Sequence, residues 1–322
     1  MRSVRCHINK MRTVFILLII LTCLGCKPSK KDKLLEQALL VIETNSLNKK
    51  IINWKEYKTK VYLKAGQISS NEDRYRVIDY ALRLLNDHHS FYIRPYVKNE
   101  KLNPRHANKL SEWRLIYKNI GYIQIPSCLG SDKYLLEYSS KIRKSISELD
   151  KQQLDGWIID LRENVGGYLP AMLVGMGPLL NEGLQFYSVF PNGRLMPWIY
   201  NRGNIYKGKN EEMKEDLAYH MRNKDKKIAI LINHTTASSG EFLAVCLREN
   251  KRSRLFGTKT FGIPTDNKAF CLSDSSWIVL TVAKMADVKK KIYEGPIIPD
   301  EACPYCSTNE LIRIAKDWIR RN

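Results

Sequence analysis

The chain has 322 residues, 44% apolar and 10% aromatic, which suits a packed globular protein and excludes a disordered or collagen-like one. Its formal net charge is +20. The lysines and arginines are scattered and not gathered into one arm or helix stripe, so the reading is a general basic surface and no nucleic-acid binder.

The first element is an apolar run, Val14 to Leu21, preceded by Arg12. It is too short to span a bilayer as a stable helix and reads as a signal peptide. It ends at Leu24-Gly25-Cys26. A small residue directly before a cysteine resembles the lipobox of bacterial lipoproteins, with Cys23 where leucine is usual; Met11 is an alternative start. On this reading residues 1–25 are the signal peptide, Cys26 carries the lipid, and residues 26–31 form a solvated tether. An ordinary cleaved signal or an uncleaved anchor is the alternative. The expected location is the bacterial cell envelope, lipid-anchored on the periplasmic side of the inner or outer membrane. Arg2, Arg5, Lys10 and Arg12 lie in residues 1–25 with no acid, which leaves +16 on the remainder.

Residues 32–90 read as a helical subdomain of about three helices. Leu34, Leu35, Ala38, Leu39 and Ile42 lie at helical spacing. Asn53 with Glu56, and Ser70 with Asp73, make capping boxes ahead of two further apolar patterns. Residues 91–114 read as a linker too short for another domain.

Residues 115–322 alternate strands with helices, which implies an α/β domain. The expected strands are 122–125, 157–161, 227–232 and 277–282. The expected helices are 132–148, 168–180, 239–249 and 308–320. Five cysteines follow Cys26: Cys128, Cys246, Cys271, Cys303 and Cys306, an odd number that leaves at least one unpaired within the chain. Cys303-Pro304-Tyr305-Cys306 reads as a local disulfide or two thiols, not as a redox centre inside a thioredoxin-like strand–helix unit. No His/Cys/Asp cluster has metal-ligand spacing, so neither metal nor organic cofactor is expected.

Two segments carry chemistry. In Lys227 to Ala244 a buried-type strand runs through Asn233-His234-Thr235-Thr236-Ala237 into Ser238-Ser239-Gly240-Glu241 and a helix. Ser238 then sits at a helix N-terminus, where unpaired N–H groups and the helix dipole favour the negative charge that acyl transfer develops. Ser238-x-x-Glu241 is equally a capping-box signature, so a plain cap is the competing reading. The second segment, Gly156 to Gly167, runs from a strand through Asp160-Leu161-Arg162 into paired glycines. Such glycines let backbone approach a ligand and expose N–H groups, though a plain turn needs them too.

Together these segments resemble the tail-specific (carboxy-terminal processing) serine proteases. Asp160–Gly167 resembles their D-L-R-x-N-x-G-G motif, and Thr236–Glu241 their nucleophile segment. Gly257–Gly262 resembles G-x-x-T-F-G, and Gly295–Asp300 the last six places of the closing G-x-G-I-x-P-D, with Pro296 for one glycine. The resemblance implies a crotonase/ClpP-like ββα spiral domain. It implies peptide-bond hydrolysis through an acyl-enzyme, with Ser238 as nucleophile and Ser239 plus Gly166 or Gly167 as oxyanion donors.

Two features depart from the best-known members. The general-base lysine expected after Phe261-Gly262 is replaced by Ile263, and the linker has no room for a PDZ domain. Lys259 reads as a surface charge. A PDZ-less branch of the family resembles tricorn protease and the interphotoreceptor retinoid-binding proteins. Leu85-Asn86-Asp87-His88-His89-Ser90-Phe91 resembles its L-x-D-x-H-x-x-F segment, with the phenylalanine one place early. That implies His89 as base, with His88 and His234 as rivals, and Glu294 as the orienting acid. The expected partners are a peptide or protein substrate and, through the anchor, a membrane. The alternatives are a catalytically inactive binding or scaffolding lipoprotein on the same fold, or a serine esterase.

Overall fold

The computed structural model describes residues 32–66, 68–95, 109–214, 219, 221–222 and 224–321. The expected signal peptide, Cys26 and tether lie outside these residues. Three helices come first: α1 (Lys33–Asn45), α2 (Trp54–Ala65) and α3 (Asn71–Arg83). Each begins where a side chain satisfies an end amide. Asp32 accepts from Leu35, Asn53 from Glu56 and Ser70 from Asp73.

The strands follow as β1 (Phe91–Ile93), β2 (Glu112–Ile116), β3 (Ile120–Gln124), β4 (Gly156–Asp160), β5 (Gly183–Val189), β6 (Leu195–Asn201) and β7 (Asn204–Lys207). Next come β8 (Asn210–Met213), β9 (Lys227–Ile232), β10 (Ser253–Gly257), β11 (Thr265–Cys271), β12 (Trp277–Ala286), β13 (Ile292–Tyr293) and β14 (Glu301–Ala302). The remaining helices are α4 (Asp132–Asp150), α5 (Leu169–Met176), α6 (Ser239–Arg248) and α7 (Thr308–Arg320). The expected helix over 168–180 is α5 followed by a 3₁₀ turn at Gly177–Leu179, because Pro178 cannot continue the α-helical ladder. Two parts of the expected linker are strands: Phe91–Ile93, and the start of β2 at Glu112–Arg114.

One sheet has the order β14-β10-β9-β4-β3-β2, parallel except for the β2–β3 pair. Helices α4, α5 and α6 cover one side with a core around Trp157, Ile159, Ile230 and Phe242. Helix α7 covers the other through Leu311, Ala315 and Ile319. The second sheet has the order β1-β12-β5-β6-β7-β8, with β11 and β13 also on β12. The three N-terminal helices pack on it, where Val77, Ile78 and Leu82 share a core with Ile278, Leu280 and Val282. The fold is therefore α/β with a helical N-terminal region. Cys303 and Cys306 form a local disulfide between β14 and α7, while Cys128, Cys246 and Cys271 are free thiols.

Candidate active site

Strands β4, β9 and β10 are parallel neighbours, with Asp160 beside Leu231 and Leu231 beside Phe256. Their carboxyl ends therefore deliver three turns to one edge of the sheet, the edge where open α/β sheets bind ligands. The turns are bonded to one another. Thr236 Oγ1 donates to the Leu161 carbonyl at 2.9 Å, and the Ala237 amide to the Asn164 carbonyl at 3.0 Å. The Phe261 amide donates to the Thr236 carbonyl at 2.9 Å.

The first turn is anchored at its base. Arg162 Nε and Nη2 and the Tyr122 hydroxyl all donate to the buried Asp160 carboxylate. At its tip, Asn164 Nδ2 reaches the carbonyls of Ile125 and Pro126, both at 3.2 Å. Its Oδ1 accepts the Gly166 amide at 2.9 Å, so that N–H is already committed. Gly166 (φ +104°) lies against the Ser238 turn, where a Cβ would meet Ser238 Cβ at 2.8 Å. Gly167 has φ +120°, and its carbonyl accepts Ser239 Oγ at 2.6 Å. Among the described residues nothing takes the Gly167 or Ser239 amide. Of the two glycines expected to serve an oxyanion, Gly167 is the one with a free donor.

Ser238 occupies φ +52°, ψ −121°, unlike the extended capping serines Ser70 and Ser307. A non-glycine residue held there is strained, as nucleophile turns are. Glu241 holds it. This carboxylate is fully buried and accepts four donors. Oε2 takes the amides of Ser238 at 2.9 Å and Ile263 at 3.0 Å. Oε1 takes the Gly262 amide at 3.0 Å and the Thr260 hydroxyl. Burial raises its pKa, against the pull of those hydrogen bonds. Ile263, in the position expected of a lysine, thus offers its backbone to the site and no proton acceptor.

His89 comes from the other sheet. Asp87 Oδ1 accepts the amides of His89 and Ser90, at 3.0 and 2.8 Å, which folds the loop after α3. Asn267 Nδ2 donates to the His89 carbonyl at 3.0 Å, and Nδ1 lies 2.6 Å from Thr265 Oγ1. Burial lowers the imidazole pKa to about 4, against the nearby charges of Asp87 and Asp266. The rivals His88 and His234 are exposed, as is Lys259. No hydrogen bond joins His89 to Ser238 among the described residues. The two are linked through Glu241, Ile263 and Thr265, whose amide donates to the Ile263 carbonyl at 2.8 Å.

Glu294 sits at the rim in an exposed ion pair, with Oε1 2.5 Å from Lys284 Nζ. That pairing lowers its pKa. Lys284 lies opposite Thr265 in the β11–β12 ladder, so Glu294 is near the His89 support without contacting it. The side chain on the imidazole is Thr265. Its part escapes sequence reading because it is 176 residues away from His89. Asp87 carried a local signal, since an aspartate two residues before an amide readily forms such a turn.

The sequence profile of peptidase family S41 matches residues 119–303. The chain belongs to this family. The S41 relatives include a carboxyl-terminal-processing protease from Synechocystis, 31% identical over 185 residues, 57% of this chain and 38% of that protein. The chain thus spans well under half of that relative. The nisin-resistance protein of Lactococcus lactis is 27% identical over 295 residues, 91% of this chain and 88% of that one. Among solved structures, a lipoprotein from Streptococcus agalactiae superposes with a TM-score of 0.74 at 22% identity, covering 92% and 98% of the two chains. The photosystem II D1 C-terminal processing protease superposes with a TM-score of 0.57 at 16% identity, covering 84% of this chain and 92% of that one. These two share the S41 fold with the chain. The family resemblance read in the motifs is borne out, and with it the serine-peptidase assignment.

Proposed function

We propose that the protein is a lipid-anchored peptidase of the bacterial cell envelope and that Ser238 is its nucleophile. The observation that carries this is the Ser238 backbone, held in a strained turn by a buried carboxylate with Gly166 against its side chain. A residue that only capped a helix would need no such conformation.

In the proposed reaction Ser238 Oγ attacks the scissile carbonyl and its proton passes to His89. If Nδ1 donates to Thr265, Nε2 is the nitrogen left to accept. The low pKa keeps the ring neutral, and therefore able to take a proton, at neutral pH. The amides of Gly167 and Ser239 stabilise the oxyanion. The proton then moves to the leaving nitrogen as the C–N bond breaks, and water hydrolyses the ester. Thr265 takes the orienting place expected of Glu294.

Ser238→Ala and His89→Ala should each lower turnover by several orders of magnitude, and the double variant should be little worse than either. Lys259→Ala should retain activity. A fluorophosphonate should label Ser238 in the wild type. No labelling, together with no hydrolysis of any peptide or ester, would favour a binding protein; hydrolysis of esters but not peptides would favour an esterase. The near full-length match to a nisin-resistance protein supports nisin as a first substrate to test. Expression in a sensitive bacterium should raise nisin tolerance, and the Ser238→Ala variant should not.

A further inference from the structure

Helices α1 and α2 turn an apolar and cationic face to solvent. Leu40, Ile51 and Leu63 are 64%, 81% and 74% exposed. The two helices run antiparallel side by side, because Tyr62 donates to Glu36 and Lys58 pairs with Glu43 at 2.6 Å. Glu36, Leu40 and Glu43 share one stripe of α1, so Leu40 lies on the outer seam between those bridges. Residues 33–64 carry seven lysines and three glutamates. All three glutamates are engaged, with Tyr62, Lys58 and Lys60, so the excess positive charge is left uncompensated.

Next to the α1–α2 turn lies a cavity of about 260 Å³ lined by Asn45, Lys49, Phe190, Asn192, Arg194 and Lys268, among others. Every charged residue in its wall is cationic. Arg194 lies over the Phe190 ring with Cζ 4.2 Å from the centroid, and Lys268 Nζ is 5.3 Å from the Phe270 centroid. Scattered exposed apolar residues are ordinary. Apolar side chains set among lysines that outnumber the acids, beside a cationic hollow, are the chemistry of a surface that lies on anionic lipid. Lys49 Nζ, at the edge of the hollow, donates to the Thr44 carbonyl at 2.7 Å.

The chain path puts bilayer within reach. From Cys26 to Asp32 is six residues, at most about 20 Å of extended backbone. We propose that the α1–α2 face docks on an anionic bilayer, its apolar residues entering the interface and Lys49, Arg194 and Lys268 receiving a phosphate headgroup. The tether argument rests on the lipid-anchor reading above; the charge and exposure do not. Docking would hold the molecule in one orientation on the bilayer.

The test uses the full mature chain with its anchor, carrying Cys271→Ser and an environment-sensitive fluorophore on Ile51→Cys. It is placed on phosphatidylcholine vesicles with or without phosphatidylglycerol. The Ile51 label should shift to the blue and lose several-fold of its quenching by iodide only on the anionic vesicles, and high salt should reverse this. A label on Leu136→Cys should stay aqueous throughout. The double substitution Lys49→Glu, Lys268→Glu should abolish the shift and leave peptide hydrolysis unchanged. An Ile51 label that reads water on both vesicles overturns the proposal, as does binding of inorganic phosphate in the cavity without a vesicle-dependent shift. Flotation with pure phosphatidylcholine vesicles reports the lipid anchor separately, so failure of the anchor and failure of docking are distinguishable.

Discussion

Glu241 does at residue scale what no other side chain among the described residues does: it ties the Ser238 turn to the segment after β10. Its four partners are all donors, so only a carboxylate accepts from every one of them. Glu241→Gln puts an amide NH₂ where two N–H or O–H groups point, leaving buried donors unpaired. The expected loss is about 3 kcal/mol in urea unfolding, with a larger fall in kcat than in substrate affinity. Wild-type kcat in Glu241→Gln would show that the Ser238 turn holds itself. His89 sets a second expectation at this scale. The fold keeps its ring neutral down to about pH 4, whereas an unfolded imidazole titrates near 6.5. Protonation therefore favours the unfolded chain, and stability falls as pH drops from about 6.5 to about 4. The acid limb of kcat/KM should follow the folded value and lie near 4, below an ordinary histidine. A limb at 6.5 in the rate profile would show a solvated ring or a different base.

At the scale of elements, β12 holds the His89 loop as well as the N-terminal helices. The Thr281 amide donates to Ser90 Oγ at 2.9 Å, and its carbonyl accepts the Leu47 amide at 2.8 Å. Ser90 in turn donates to Asp87, which folds the backbone at His89. Ser90→Ala leaves the Thr281 amide and one Asp87 oxygen without that partner. It should cost about 1–2 kcal/mol and lower kcat by up to ~10²-fold through misplacement of the imidazole. Equal losses in an esterase assay and a peptidase assay would fit this; unchanged kcat would detach the loop from catalysis. The legibility of elements follows from what makes each one. Strands β4 and β9 read clearly because both faces are buried, giving runs such as Ile228 to Ile232. Helices α1 to α3 read from caps and spacing. Strands β5 to β8 form an antiparallel meander with one face half exposed, and Met196-Pro197-Trp198 carries no period that marks a strand. Strands β1 and β11 exist only by pairing with β12, with Phe91 beside Val279, so nothing local announces them. In the site the same division holds. Ser238 and the glycines lie in contiguous motifs, whereas Thr265 and Asn267 reach His89 through the second sheet.

At the scale of the whole molecule, the site is assembled from two sheets that close around different cores. The parallel sheet supplies Ser238, Gly166 and Gly167 from the ends of β4 and β9. The antiparallel sheet supplies His89, held by β11 and by the loop docked on β12. Residues 260–265 run from one sheet to the other, fastened by Glu241 at one end and by Thr265 at the other. The N-terminal helices are thus part of the peptidase and not a separable module. A fragment of residues 112–322 would lose His89 and uncover Leu272, Ile278, Leu280, Val282 and Ala283, which are buried under α1 to α3. Apolar surface of that extent on one sheet face favours association or local unfolding over a stable fragment. Limited proteolysis of the intact chain, followed by mass spectrometry, should therefore show no persistent product that begins near residue 112. The same fragment made directly should be inactive and prone to aggregate, with Ser238 unreactive towards a fluorophosphonate for want of a base. A soluble fragment retaining full peptide hydrolysis would remove His89 from the mechanism. It would then require a base from within residues 112–322, where His234 and Lys259 are exposed rivals.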